Sequence, residues 1–271
     1  MRKKWLIRMM LLAAVIALAV TALDQRMIVR RYTVESDKID QPVRLALLTD
    51  FHGCDYGENG ERLVQAVTEL QPDAILLSGD MFSADGDAEE ELAMLRTLAA
   101  LAPTLYVTGN HEYWEYPVPA LCRRIEETGV TVLDQTCRTL ALNGQPVNFC
   151  GVPDPYAYVN TETALARAAA AAEAEAYTVL LSHRPELIER YAAQGTFDLV
   201  VSGHAHGGQI RIPLLVNGLF APNQGWFPVY AGGRYEMDGM VMIVSRGLSD
   251  QLQMGIPRVF NRPELVLVEL K

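Results

Sequence analysis

The feature that most constrains the fold is a series of short apolar runs, each ending on a polar residue. Three runs end thirty residues apart at Asp50, Asp80 and Asn110, and two more end at His183 and His204. Amphipathic stretches separate the runs, and this alternation is typical of an α/β fold. Ligands of open α/β sheets bind just beyond the carboxyl ends of the strands. The sequence therefore predicts that five separate loops converge on one site.

Strands and helices can be assigned from the same alternation. The predicted strands are Val43–Thr49, Ala74–Ser78, Leu105–Thr108, Thr178–Ser182 and Leu199–Ser202. The predicted helices are Gly60–Leu70, Ala88–Leu101, Val118–Glu127, Thr161–Ala174 and Pro185–Ala193. Asn143-Gly144 predicts a hairpin between two apolar runs, Arg138–Leu142 and Val147–Cys150. A second sheet is predicted after His206, from Gln209–Ile212, Phe220–Tyr235, Met240–Ser245 and Leu265–Leu270.

The first thirty residues have the character of a membrane segment. Residues 9–23 contain no charged residue, and the basic residues that precede them are Arg2, Lys3, Lys4 and Arg8. A span of residues 5–23 is long enough to cross a bilayer, with Arg8 reaching back to the headgroups. The alternatives are a cleaved secretory signal, whose cleavage site is poorly formed near Ala19–Leu23, and a buried core helix. We favour an uncleaved single-pass anchor.

Charge divides the chain into two parts. Residues 1–31 hold seven Lys or Arg and one acidic residue, whereas residues 32–271 hold sixteen Lys or Arg and thirty-two Asp or Glu. The acidic body argues against a nucleic-acid polymer as partner, and the basic arm favours anionic lipids. We therefore predict a membrane arm over residues 1–31 and one catalytic domain over residues 32–271, with no obligate protein partner.

The side of the membrane is only weakly indicated. Four basic residues precede the apolar segment and three follow it, a bias that places the catalytic domain outside the cytoplasm. The cysteines show no CxxC spacing and no sign of pairing, and they are Cys54, Cys122, Cys137 and Cys150. They are predicted to be small buried apolar residues and do not settle the compartment.

The predicted strand-end loops contain all five histidines of the chain, at positions 52, 111, 183, 204 and 206. Residues two apart in extended backbone point the same way, so Asp50 with His52, and His204 with His206, can each present two ligands. Nitrogen and oxygen donors without thiolate suit Mn²⁺, Fe or Zn²⁺ better than Ca²⁺ or Mg²⁺. The sequence therefore predicts a metal site for one ion or two adjacent ions.

The motifs occur in an order that resembles the calcineurin-like metallophosphoesterases. They are Asp50-Phe51-His52, Gly79-Asp80, Gly109-Asn110-His111-Glu112, Ser182-His183 and Gly203-His204-Ala205-His206. The stretch SGHAHGGQIRIP and the N-terminal membrane segment make the chain similar to bacterial YaeI/YkuE-type membrane-associated phosphodiesterases. The resemblance implies a four-layer αββα sandwich with a two-metal site, and in-line attack of a metal-bridging hydroxide on a phosphodiester or pyrophosphate bond.

The same resemblance assigns metal ligands by motif position. One ion would be held by Asp50, His52, Asp80 and His206. The other ion would be held by Asp80, Asn110, His183 and His204. Asp80 would therefore bridge the two ions.

His111 is the histidine that the implied ligand sets leave over. It would protonate the leaving oxygen or stabilise charge on the phosphoryl group. Many family members carry a carboxylate where this chain has Ser83, near the catalytic histidine. Either Asp85 or Asp87 substitutes for that carboxylate, or His111 acts as a neutral donor.

Three arginines are candidates to bind substrate phosphate, because a guanidinium group forms bidentate hydrogen bonds. They are Arg211, Arg234 and Arg246, and the alternative for each is a structural or surface salt bridge.

The leading hypothesis is a membrane-anchored phosphodiesterase or pyrophosphohydrolase with a lipid-linked or nucleotide-lipid substrate. The alternatives are a phosphomonoesterase for small metabolites or phosphoproteins, and an inactive scaffold, against which the complete ligand set argues.

Overall fold

Two six-stranded sheets form the centre of the computed structural model, which describes residues 2–84, 87–250 and 255–271. The strands are β1 Ile28–Val34, β2 Val43–Leu48, β3 Ala74–Ser78, β4 Thr104–Val107, β5 Thr131–Val132, β6 Thr136–Leu142, β7 Gln145–Gly151, β8 Tyr177–Leu181, β9 Leu199–Ser202, β10 Phe220–Ala221, β11 Gly225–Trp226, β12 Gly233–Met237, β13 Met240–Val244 and β14 Glu264–Leu270. The helices are α1 Arg2–Ala22, α2 Glu61–Leu70, α3 Glu89–Leu101, α4 Asn110–Glu115, α5 Val118–Glu126, α6 Thr161–Ala170 and α7 Ile188–Ala192.

The central strands of each sheet run parallel, so their carboxyl ends lie at one edge of the sheet. The first sheet has the order β1-β14-β2-β3-β4-β5, and the second has the order β12-β13-β9-β8-β7-β6. Strands β2 to β5 are parallel, and so are β7, β8 and β9. Helices connect most of these strands, as parallel pairing requires. The loops that carry the predicted site residues therefore leave each sheet at its carboxyl edge.

The sheets pack face to face, and helices cover their outer faces. Leu45 and Leu76 of the first sheet belong to the same buried cluster as Phe149, Val179 and Val201 of the second. Helices α2, α3 and α5 cover the other face of the first sheet, and α6 and α7 cover that of the second. Because both faces of each sheet are buried, the central strands are apolar at nearly every position. The predicted four-layer αββα sandwich is confirmed.

The strands that follow residue 206 are divided among three sheets, and of these only β10 and β11 form a small two-stranded sheet with each other. Strands β12 and β13 extend the second sheet, whereas β14 pairs with both β1 and β2 in the first. The predicted strand Gln209–Ile212 is represented among the described residues by two single bridges, of Ile210 with Val259 and of Ile212 with Val216. Elsewhere, helix α6 ends four residues before the predicted end of its segment, at Ala170.

Helix α1 is the apolar segment, and it projects from the packed body. Among the described residues, Lys3–Ala22 is long and apolar enough to cross a membrane. The Ala22 carbonyl accepts a hydrogen bond from the backbone amide of Phe260 at 2.7 Å. Strand β1 follows shortly and pairs with β14 over residues 28–34. The boundary predicted at residue 31 therefore falls inside a strand of the first sheet.

Two of the four cysteines are paired. Cys137 and Cys150 lie opposite each other in the β6–β7 hairpin and form a disulfide. Their prediction as unpaired buried residues was wrong, because directly opposed side chains on antiparallel strands approach closely and this register is invisible in Cys spacing. Cys54 and Cys122 are free thiols, the first buried and the second half-buried.

Candidate metal centre

Five strand-end loops bring most of the predicted ligands together. Three groups of donor atoms each lie within 4.8 Å of one another. The groups are Asp50 with His52 and His206, His52 with Asp80 and His111, and Asp80 with His183 and His204. Because Asp80 and His52 each belong to two groups, the three groups form one continuous centre.

Backbone conformation sets these loops apart from ordinary turns. Five of the seven predicted ligands have positive φ, and they are Asp50 (52°), His52 (50°), Asp80 (54°), His204 (66°) and His206 (45°). A non-glycine residue in this left-handed region of backbone conformation reduces stability by about 1–2 kcal/mol. Such strain concentrates at functional sites, where the surrounding structure holds it in place.

Asp80 lies at the middle of the centre. Its Oδ2 is 3.0 Å from Nε2 of His183 and 3.8 Å from Nε2 of His52. Asp50 lies further along, with Oδ1 3.4 Å from Nε2 of His206 and 3.9 Å from Nε2 of His183. Asp80 therefore lies between His52 and His183, and its role as a bridging ligand stays a prediction.

Electrostatics keeps three of the imidazoles neutral. Burial lowers the pKa of His52 to about 4 and the pKa values of His204 and His206 well below their usual range, so each offers a lone pair at neutral pH. Burial acts in the same direction on His183, but the charge of Asp80 outweighs it and raises the His183 pKa to about 10. Burial also opposes ionisation of Asp80, yet His183 holds the Asp80 pKa well below its usual range. A metal ion at this pair would take the place of the His183 proton.

Two hydrogen-bonding observations test whether these residues fit metal ions. Oδ1 of Asn110 is buried and has no hydrogen-bond partner among the described residues. Leaving such an oxygen unpaired costs about 1–3 kcal/mol, so it suits an atom that binds an ion. Nδ1 of His183 donates to the Ser78 carbonyl at 2.8 Å and aims Nε2 at Asp80. Metal-binding histidines are usually oriented in this way. The donor set therefore fits transition-metal ions.

Glu112 is a buried carboxylate beneath the centre to which the sequence analysis gave no role. It accepts hydrogen bonds from the backbone amides of Asp80 (3.0 Å), Met81 (2.8 Å) and Gly109 (2.7 Å). Burial, assisted by the charge of Asp80, raises the Glu112 pKa to about 7. The signal in the sequence is a Glu three residues after Gly109, the residue that precedes helix α4, a position from which Glu accepts hydrogen bonds from amides at the helix start.

A second unpredicted group surrounds His204. Oδ1 of Asn223 lies 2.8 Å from Nε2 of His204 and also accepts a hydrogen bond from Arg184, whose Nη1 lies 2.9 Å from the same nitrogen. Arg184 is buried and donates two hydrogen bonds to Asp154. If Nδ1 of His204 binds the metal, the ring proton lies on Nε2, where Asn223 accepts it. No sequence motif marks Asn223.

His111 lies on the solvent side of the centre and is half-buried. Its backbone amide donates to Oδ1 of Asp80 at 2.9 Å, and its ring centre is 4.5 Å from that of His52. The ring centre of Trp114 lies 4.7 Å from that of His111, and Trp114 also contacts Tyr156. His111 therefore borders an aromatic wall, from which it can serve as a donor to substrate or as a further ligand.

Ser83 stands where many family members carry a carboxylate, and Asp85 and Asp87 are the predicted replacements for that carboxylate. Ser83 donates its backbone amide to Glu91 and accepts from the Tyr116 hydroxyl. Asp87 is exposed and accepts from the backbone amide of Glu89. Asp85 lies outside the described residues. The partner of the His111 ring therefore stays a prediction.

The three candidate arginines have contacts with residues other than the predicted ligands. Arg211 and Arg246 line a groove of about 460 Å³ that none of the seven predicted ligands lines. Arg246 also pairs with the buried carboxylate of Glu264 at 3.4 Å, and Arg234 pairs with Glu236 on the surface. Phosphate binding by these arginines stays a prediction.

Comparison with known proteins gives the class to which this site belongs. The model of the calcineurin-like phosphoesterase family matches residues 43–208, and the chain belongs to that family. An uncharacterized metallophosphoesterase of Helicobacter pylori is 30% identical over 234 residues, which cover 84% of this chain and 59% of that protein. Phosphodiesterase YaeI of Escherichia coli is 29% identical over 209 residues, 74% of this chain and 72% of that protein.

A solved structure shares the fold at low identity. NAD nucleotidase of Haemophilus influenzae superposes with a TM-score of 0.55 at 14% identity, over 76% of this chain and 45% of that one. The chain spans about half the length of the Helicobacter pylori relatives that it matches, 47% and 59%. The family assignment and the predicted phosphodiesterase relationship are confirmed.

Proposed function

We propose that this chain is a membrane-anchored phosphoesterase that uses two divalent or transition metal ions to hydrolyse a phosphodiester or pyrophosphate bond. The observation that carries the proposal is the set of three overlapping donor groups, which share Asp80 and His52. One ion would be held by Asp50, His52, Asp80 and His206, and the other by Asp80, Asn110, His183 and His204. The nitrogen-rich donors favour Mn²⁺, Fe or Zn²⁺.

Ions bound here would supply an acidified water and neutralise charge on the phosphate oxygens. The chain supplies orientation and protons. His183 is aimed by Ser78, and Glu112 fixes the loops of Asp80 and Gly109 to each other. His111, at the open side of the centre, would donate a proton to the leaving oxygen.

We further infer a lipid-linked phosphate as substrate. Strand β14 runs antiparallel to β2, with Val266 opposite Leu47, so the start of β14 and the end of β2 share one edge. Helix α1 contacts Phe260, four residues before β14 begins, and Asp50 follows the end of β2. The anchor therefore leaves the domain at the edge that carries the donor groups, which supports a substrate held in the bilayer.

An extracytoplasmic catalytic domain is part of the same proposal. The Cys137–Cys150 disulfide supports it, because disulfides persist mainly in oxidising compartments. The weak excess of basic residues before the apolar segment also supports a catalytic domain outside the cytoplasm. Helix α1 would be the anchor, and residues 28–31 of the basic arm would be tied to the catalytic domain through β1.

The test uses the full-length chain in lipid nanodiscs, stripped of metal and reloaded with Mn²⁺. We expect hydrolysis of bis-p-nitrophenyl phosphate and of a lipid-linked pyrophosphate to exceed hydrolysis of p-nitrophenyl phosphate. His183→Ala should abolish the activity, and Asp55→Asn, an exposed carboxylate substitution, should retain it. Preference for the monoester would favour a phosphomonoesterase. A metal-loaded chain that hydrolyses none of the three would favour an inactive scaffold.

A further inference from the structure

A short loop on the surface exposes apolar side chains to solvent. The backbone amide of Ile212 donates to the Val216 carbonyl at 3.0 Å and closes a tight turn. At its tip, Leu214 and Leu215 are 105% and 81% exposed, and Leu214 has a φ of 68°. A leucine this exposed and in this conformation adds little to the packing of the described residues. We call residues 212–217 the apolar loop.

A second exposed segment lies beside the apolar loop. Trp226, Phe227 and Val229 are each about two-thirds exposed, at 64%, 66% and 64%. The Phe227 amide donates to the Leu219 carbonyl at 2.8 Å, and Asn217 of the apolar loop donates to the Val229 carbonyl at 3.4 Å. The two segments form one apolar surface of the kind that marks interaction sites.

The apolar loop lies next to the end of the apolar helix. Its base is fixed where the Arg211 amide donates to the Val259 carbonyl at 2.9 Å. The next residue, Phe260, donates to the Ala22 carbonyl at 2.7 Å, and its side chain lines the same groove as Leu214. The apolar surface is therefore continuous with the point at which α1 meets the domain.

Positive charge accompanies the apolar surface. Arg211 and Arg246 lie side by side, because a Cβ placed on Gly232 would be 2.9 Å from one side chain and 3.5 Å from the other. Arg246 pairs with Glu264 at 3.4 Å, and Arg30 pairs with the same carboxylate at 2.9 Å. Two guanidinium groups thus share the carboxylate of Glu264, and the Arg211 side chain lies beside them. Apolar side chains beside such cations are typical of segments that lie in the interface of an anionic membrane.

We propose that this apolar surface docks in the headgroup region of the bilayer that α1 crosses, with Arg211 and Arg246 facing anionic phospholipid headgroups. The proposal rests on the membrane-anchored function proposed above. Docking would also set the metal centre at a fixed height, because the Asn261 side chain donates to the carbonyls of His206 (2.8 Å) and Gln209 (3.1 Å). That residue joins the anchor contact at Phe260 to the ligand loop. A lipid-linked phosphate would then meet the centre without leaving the membrane.

The experiment places a fluorescent label on the full-length chain in nanodiscs of mixed phosphatidylcholine and phosphatidylglycerol. Leu214→Cys is labelled with a nitrobenzoxadiazole group in a chain that also carries Cys122→Ser. The matched control is Ala141→Cys in the same background, an exposed position in the hairpin at the opposite edge of the second sheet. We expect doxyl-labelled lipid to quench the label at 214 and aqueous iodide to spare it, with the reverse at 141. Quenching by doxyl lipid should weaken in nanodiscs of phosphatidylcholine alone.

A label at 214 that iodide quenches as strongly as the label at 141 would overturn docking. Equal quenching by doxyl lipid in both lipid mixtures would overturn the assignment of the arginines to anionic headgroups. Flotation of the chain with liposomes and hydrolysis of bis-p-nitrophenyl phosphate are measured on the same proteins. A chain that floats and hydrolyses the diester but leaves position 214 in water refutes docking alone. Failure to float with liposomes would refute the proposed membrane anchor, and failure to hydrolyse the diester would refute the proposed activity.

Discussion

Replacing Asp80 with Asn removes the charge at the middle of the metal centre while keeping the shape of the side chain. Its Oδ2 lies 3.0 Å from Nε2 of His183, and both side chains are almost completely buried. The amide oxygen of Asn can still accept the His111 backbone hydrogen bond that Oδ1 accepts now. The substitution removes the charge and places an N–H donor where Oδ2 now accepts, so His183 must present the lone pair of its Nε2 to keep a hydrogen bond.

The size of the effect follows from the geometry. Two unit charges 3.0 Å apart attract by about 5 kcal/mol at an effective dielectric constant near 20. The rise of the His183 pKa from 6.5 to about 10 corresponds to a similar value, about 5 kcal/mol. Repulsion offsets part of this attraction, because the charge of Asp80 adds to burial in raising the pKa values of Asp50 and Glu112. Removing the charge of Asp80 relieves that repulsion. We expect metal-free Asp80→Asn to lose about 3 kcal/mol of unfolding free energy near neutral pH, at the lower end for a broken buried pair.

The pH dependence has a definite sign. His183 has a raised pKa in the folded state, so its contribution is complete below its unfolded value near 6.5 and is lost as the pH rises through about 10. The stability difference between the native chain and Asp80→Asn should therefore shrink over this range. Urea unfolding of the EDTA-treated chains in detergent, followed by tryptophan fluorescence, measures it. Asp55→Asn is the control, since its exposed pair with Arg62 contributes about 0–1 kcal/mol. A loss below about 0.5 kcal/mol, within the range of ordinary surface substitutions, would refute the reasoning.

Other predictions concern metal, turnover and thiols. Uptake of Mn²⁺ near pH 8 should release protons, because His183 must lose the proton that its pKa of about 10 retains; calorimetric heats independent of buffer ionisation enthalpy would contradict this. His111→Ala should keep bound metal and lower kcat by about 10²–10⁴-fold, and full activity would refute its role. Asn223→Ala should weaken metal affinity by about 10- to 100-fold in competition with a chelating dye, and unchanged affinity would remove its positioning role. Thiol titration of the denatured, unreduced chain should find two thiols, Cys54 and Cys122, rather than four.

The strand ends of the metal centre could be predicted because two signals coincide in the sequence. Asp50 and Asp80 each end an apolar run, and these runs are strands buried on both faces. A polar residue at such a point reaches the carboxyl edge of the sheet whatever the details of packing. His183 and His204 follow the same logic in the second sheet. Local pattern was sufficient for these residues.

Features that depend on tertiary placement could not be predicted in this way. Asn223 lies in the turn between β10 and β11 and contacts His204 through the tertiary structure, which no local pattern in the sequence indicates. The pairing of Cys137 with Cys150 depends on hairpin register. Strand β14 joins β1 and β2 from the far end of the chain, and no local signal selects its sheet. The contacts of Asn223 and of β14 join segments that their own residues do not specify as neighbours, whereas the Asn143-Gly144 turn does indicate that the two cysteine-bearing strands are neighbours.

The most direct test of the central claim measures metal content and activity on one sample. Metal-free full-length chain is titrated with Mn²⁺, and bound metal and hydrolysis of bis-p-nitrophenyl phosphate are followed together. We predict that hydrolysis appears as bound metal approaches about two ions per chain, as a two-metal site requires, and that His183→Ala loses both. Full hydrolysis by the metal-free chain, or no hydrolysis by a chain that has bound its metal, would contradict the account.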